Sequence, residues 1–150
     1  MRFVVMALSL SLLLGAGPCI QSHSATTAPA AAPASKGHNA ESLAAALRTA
    51  GFQVRLADTI SQPFFSVPAR VLVVDEADLQ VYQYSTSDAA AADAAKISPS
   101  GSPIGTFMPN WMRPPHIYRK DNLILIYLGD NTRVRSALAA QAGPQIAGAR

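Results

Sequence analysis

Apolar positions along the chain change their spacing several times, and each change marks an element. Behind Asn39, Leu43 and Leu47 stand one helical turn apart with Ala46 and Ala50 alongside, and Gly51 follows. This predicts a helix over AESLAAALRTA, capped by Asn39 and ended by a residue free to take positive φ. Phe52, Val54 and Leu56 then alternate with Gln53, Arg55 and Ala57, the period of a half-buried strand. Pro63 breaks the pattern. Residues 64–67 and 70–74 form a β-prone stretch interrupted at Pro68, and the cluster Asp75-Glu76-Ala77-Asp78 turns the chain. Residues 79–84 return it with Val81 on one face and Tyr82 and Tyr84 on the other.

Ser85, Thr86 and Ser87 offer caps for a helix through DAAAADAAK, with Asp88 near its start and Lys96 near its end as the helix dipole prefers. Nearly all alanine, it has a thin packing face and needs a close neighbour. Residues 97–115 are rich in Pro, Gly and Ser and carry Phe107, Met108, Trp111 and Met112. The longest irregular stretch of the domain is the natural seat of a binding function. Residues 116–118 and 123–128 flank the polar turn Arg119-Lys120-Asp121-Asn122 and predict a second hairpin. Thr132 caps a last helix over 133–142, stopped by Gly143-Pro144. Helix, three strands, helix, two strands, helix is the order of an α+β fold. The expected architecture is a two-layer sandwich of a mostly antiparallel sheet with helices packed on one face. The other face, carrying Tyr82 or Tyr84, must then meet water or a partner.

Ahead of this domain the pattern is different. Arg2 precedes the apolar run 3–16, and Gly17-Pro18-Cys19 and a small polar segment follow, the order of an export signal. The run is shorter than the roughly 20 apolar residues of a membrane span. Residues 1–24 are thus expected to be a signal peptide, 25–39 an Ala/Pro-rich linker and 40–150 a single α+β domain. Two cleavage points compete. Leu14-Gly15-Ala16-Gly17-Pro18-Cys19 resembles a lipoprotein box that would leave Cys19 lipidated, although Pro18 departs from the Gly, Ala or Ser usual there. Ser22-His23-Ser24 offers the small residues a general signal peptidase accepts. Location is therefore expected to be periplasmic, extracellular or lipid-anchored in the bacterial envelope, with membrane contact only through the signal peptide or a lipid anchor.

Charge and chemistry change this picture little. Loss of Arg2 takes the formal charge from +3 to +2, too scattered for nucleic acid, with Arg119-Lys120 and Arg133 with Arg135 as the only close groupings. The lone cysteine permits neither an internal disulfide nor a cysteine-based zinc site. Asp75, Glu76 and Asp78 read as a turn rather than a metal site, since no glycine-bearing calcium loop surrounds them. Ser66 and Ser98 lie outside any nucleophile elbow, and Gly101-Ser102-Pro103-Ile104-Gly105 lacks the lysine of a phosphate loop. No metal and no cofactor is expected. Histidine as a residue type can exchange protons near neutral pH, and His116 shares a strand face with Tyr118, so a small hydrolase using His116 with an acidic partner is one reading. A histidine packed beside a tyrosine is the simpler one. Trp111, with Phe107, Met108 and Met112, offers an apolar anchor for an envelope protein partner.

Gln62-Pro63-Phe64-Phe65-Ser66-Val67, Val81-Tyr82-Gln83-Tyr84, the alanine-rich helix, Ile97-Ser98-Pro99-Ser100-Gly101, Trp111 and Pro115-His116-Ile117-Tyr118-Arg119 before Asn122-Leu123-Ile124 together resemble a family of small uncharacterised bacterial lipoproteins. The resemblance spans residues 42–148. It implies an envelope location and one compact domain, and it carries over no site or activity. The function expected is therefore a non-enzymatic, macromolecule-binding envelope domain with Trp111, His116 and Tyr118 as binding residues. A His116 hydrolase or an apolar-ligand-binding domain is the alternative. The intact mass of the protein recovered from cells tests the leader: a chain starting at Cys19 with added acyl mass, or at Ala25 with none, is expected, and an uncut chain would overturn export.

Overall fold

The computed structural model describes residues 38–150; the expected signal peptide, Cys19 and most of the linker lie outside the described residues. Helix α1 (Ala40–Thr49) begins in a capping box: Asn39 accepts from the Ser42 amide at 2.7 Å, and the Ser42 hydroxyl accepts from the Asn39 amide at 3.0 Å. Its buried ridge is Ala40, Leu43, Ala44 and Leu47, so the small residues beside the leucines are 40 and 44 rather than 46 and 50. Gly51, at φ +85°, ends the helix as expected.

The chain continues through β1 (Val54–Ile60), β2 (Ala69–Val74), β3 (Ala77–Gln83), α2 (Ser87–Ala94), β4 (Pro115–Lys120), β5 (Leu123–Leu128), α3 (Thr132–Ala142) and the short β6 (Ala147–Gly148). The strands form one six-stranded antiparallel sheet in the order β1-β2-β3-β5-β4-β6. The α+β class and the antiparallel sheet are those the sequence predicts. Both hairpin turns are tighter than expected. Ala77 and Asp78 belong to β3 and Arg119 and Lys120 to β4, leaving Asp75-Glu76 and Asp121-Asn122 at the corners. Residues 64–67 are turn rather than strand, and Asn131, not Thr132, caps α3 by accepting from the amides of Arg133 and Val134.

Strand alternation sends Leu72, Val74, Leu79, Val81, Leu125 and Tyr127 to one face, where they pack with Leu43 and Leu47 of α1 and Val134 and Leu138 of α3. Tyr82, Ile117, Ile124 and Ile126 point to the opposite face. That face is not left to water or a partner, as the sequence reading has it. Tyr82 is fully buried and Tyr84 2% exposed, because α2 and the irregular segments around Phe64 and Ile104 lie over them. Each fully buried Leu or Ile contributes about 1.5–3 kcal/mol, so central strands with two apolar faces require two covering layers.

A β-bulge explains how β1 serves both layers. Leu56 pairs with Leu72 and Thr59 with Arg70, so two residues oppose Val71 alone. The extra residue inverts the alternation: Val54 packs in the helix-side core and Ile60 in the other. The bulge, with exposed Arg55 and Asp58, also blunts this edge against further strand pairing. At the other edge, β6 is held by Ile146 N to Ile117 O, Ala149 N to Pro115 O, and Gly148 N to Pro99 O, at 2.8, 2.8 and 3.0 Å. Gly148 has φ +103°, and a Cβ there would sit 2.0 Å from the Pro115 carbonyl oxygen. Gly148→Ala is therefore expected to lower stability by about 3 kcal/mol, read as a shifted urea midpoint.

Candidate functional site

The layer over the second sheet face is fastened by one carboxylate. Asp93 of α2 is 3% exposed, and its Oδ2 accepts from the Ser66 amide, the Ser66 hydroxyl and the Tyr84 hydroxyl, each at 2.9 Å. Its Oδ1 accepts from Lys96. Burial alone pushes the carboxyl's pKa up, but the bonds from Lys96, Ser66 and Tyr84 outweigh it and bring it down to about 2. Helix α2 needed a near neighbour, and it has one: Ala90 is fully buried, and Asp93 ties the helix to segment 61–68.

That segment presents its aromatic rings to the long irregular loop. Phe65 meets Phe64 edge-on at 5.0 Å and Tyr82 at 4.6 Å. Phe64 in turn meets Trp111 at 6.0 Å and Phe107 at 6.5 Å between centroids. The loop is pinned from beneath. Ile104, fully buried, exchanges backbone bonds with Phe107 at 2.9 and 3.0 Å, and the Trp111 indole N–H donates to the Gly101 carbonyl at 3.1 Å. Trp111 is thus half-buried and fixed, whereas Phe107, Met108 and Met112 are 43%, 75% and 95% exposed.

Between this loop, Pro63 and the β2–β3 turn runs an open groove of about 610 Å³. One wall is apolar, from Phe64, Trp111 and Met108; the other carries the exposed carboxylates of Glu76 and Asp78, with Arg113 as the cation at the rim. The turn holds Asp75 at φ +45° and Glu76 at φ +71°, a left-handed pair that aspartate tolerates and glutamate does not favour. Asp75 is anchored: its Oδ1 accepts from the Gln53 amide at 2.9 Å, and its own amide donates to the Gln53 carbonyl at 3.0 Å. Gln80 lies at the groove floor. It is 5% exposed; its Oε1 accepts from Tyr82 at 2.7 Å, and its NH₂ has no hydrogen-bond acceptor among the described residues.

The residues singled out in the sequence do not assemble into one site. Trp111 lines the groove, while His116 and Tyr118 lie on the other face of the sheet, 1% and 2% exposed. The His116 Nδ1 pairs with Gln145 Oε1 at 3.0 Å, and the ring tilts against Tyr127 at 6.2 Å. Gln145 donates onward to the carbonyls of Ala147 and Ala149, so this histidine fastens the C-terminal strand. The Tyr118 hydroxyl faces the Arg135 carbonyl at 3.5 Å. Among the described residues no carboxylate or hydroxyl hydrogen-bonds to His116, so the neighbour a hydrolase needs is missing there. Nor is any group of three His, Cys, Asp or Glu arranged among them to hold a metal ion. The sequence pointed to Trp111 and its loop but not to Glu76, Asp78 and Gln80 as their opposite wall. The only signal for those was alternation, which puts Asp78 and Gln80 on the same strand face.

Comparison of the chain with protein-family models, with curated proteins and with solved structures yields no match. The Asp93 clamp generates a pH test. Its folded-state pKa lies below the ordinary 3.8, so its stabilisation is complete above about pH 4 and fades as pH falls through about 2. Asp93→Asn is expected to lose on the order of 1–2 kcal/mol near neutral pH, in urea unfolding followed by near-ultraviolet circular dichroism. The gap to the parent protein should close in strong acid.

Proposed function

We propose that this is a non-enzymatic domain of the bacterial envelope, exported by its leader, that binds another macromolecule through the groove beside Trp111. One observation carries the reading: a loop fixed by Ile104, Gly101 and Phe64 nevertheless holds Phe107, Met108 and Met112 out in solvent. Apolar side chains on a pinned support cannot retreat into the core, and their exposure favours coverage by a partner. The half-buried Trp111 gives such a contact a rigid centre. Reaction chemistry has less support, because His116 is sealed beneath Gln145 and Asp93 is committed to Ser66, Tyr84 and Lys96.

Export and envelope location rest on the order of charge, apolar run and small residues at the start of the chain, and on the resemblance to small bacterial lipoproteins. Among the described residues no helix is long and apolar enough to cross a membrane. A benzophenone amino acid at position 112, activated by light in living cells, is expected to give a discrete adduct. The same probe at position 119, on the exposed Arg119 of β4, should give none, and Trp111→Ala should abolish the first. Equal adducts from both positions, or none, would overturn the reading.

A further inference from the structure

Resting on that groove as the docking site, we infer that its occupant is an extended polypeptide segment carrying a lysine or arginine beside a large apolar side chain. Three groups set this chemistry. The carboxylates of Glu76 and Asp78 are exposed along one wall and make no salt bridge among the described residues, so they offer two negative charges against Arg113, the single cation lining the groove. They also line the neighbouring depression, together with Asp75 and Arg55. Facing them, Trp111, Phe64 and the two methionines form a wall suited to an aromatic or aliphatic anchor. On the floor, Gln80 has its Oε1 held by Tyr82 while its NH₂ has no acceptor among the described residues, a donor available to a main-chain carbonyl, which every peptide supplies.

The strained turn fits the same account. Glu76 at φ +71° sits where glycine would be easier, and what glutamate adds there is a carboxylate on the groove wall. An anionic lipid surface or nucleic acid suits this groove poorly, because seating Met108 and Met112 in either would press Glu76 and Asp78 against like charge.

Fluorescence anisotropy on the protein isolated from cells expressing the full chain tests this with two labelled peptides, Gly-Lys-Phe-Lys-Leu-Gly and its charge-reversed form Gly-Glu-Phe-Glu-Leu-Gly. The basic peptide should bind saturably and the acidic one at least about tenfold more weakly, with the gap narrowing as salt rises. Glu76→Gln with Asp78→Asn should erase the preference, and Trp111→Ala should remove binding of the basic peptide. Glu76→Gly controls for folding: it relieves the left-handed strain, so it should weaken the basic peptide while the melting temperature holds or rises. If the acidic peptide binds as well as the basic one and Trp111→Ala still abolishes both, the partner chemistry is overturned and the groove stands. If neither binds while the adduct from position 112 persists, the peptide chemistry alone falls; without the adduct, both readings fall. Sedimentation with vesicles of phosphatidylglycerol and phosphatidylethanolamine, lost in Met108→Asp with Met112→Asp, would overturn it in favour of a membrane surface.

Discussion

Strand β5 is apolar on both sides and its neighbours β3 and β4 bury Tyr82 and Ile117 on the second face, and the rest of the molecule follows from the need to cover both. On one side the solution is ordinary: α1 and α3 lay leucine, valine and alanine ridges onto the sheet. On the other side there is one alanine helix, whose small side chains cover little area, so irregular chain must do the remaining work. Irregular chain has unpaired backbone groups and high conformational entropy, and it stays in place only when fixed at particular points. Asp93, buried and accepting four hydrogen bonds, fixes segment 61–68. Ile104 and the Trp111 indole fix the long loop.

This division of labour gives the two faces different consequences. The helix-side core is continuous and closed, and its polar groups serve structure. His116 and Gln145 lock the C-terminal strand against β4, and the Tyr118 hydroxyl reaches only a helix carbonyl. The opposite layer is assembled from loops that do not meet perfectly. Their mismatch is the groove, with one lip pinned through Ile104 and Trp111 and the other through Asp75. Binding surfaces commonly arise in this way, on loops held by a scaffold rather than on the scaffold itself.

The sheet's edges belong to the same argument. A bulge turns β1 so that Val54 and Ile60 serve opposite cores, and it spoils the strand as a template for further pairing. The far edge ends in a two-residue strand whose Gly148 admits no side chain against Pro115. With both edges blunted, further strand pairing is disfavoured on either side of the sheet.

The sequence alone determined the helices, the two hairpins and the antiparallel α+β class, because these depend on local spacing: Leu43 with Leu47, Phe52 to Leu56, and the turns at Asp75 and Asp121. It also marked the 97–115 loop as irregular and Trp111 as its notable residue. Tertiary structure decided which faces are covered, since a run such as LILIYL is equally apolar on both sides and periodicity cannot say what lies over it. It separated Trp111 from His116 and Tyr118 by placing them on opposite sides of the sheet, and it set Glu76, Asp78 and Gln80 across from Trp111. Those pairings join residues far apart in the chain, fixed by the closing of two cores around one sheet, a constraint that no local pattern encodes.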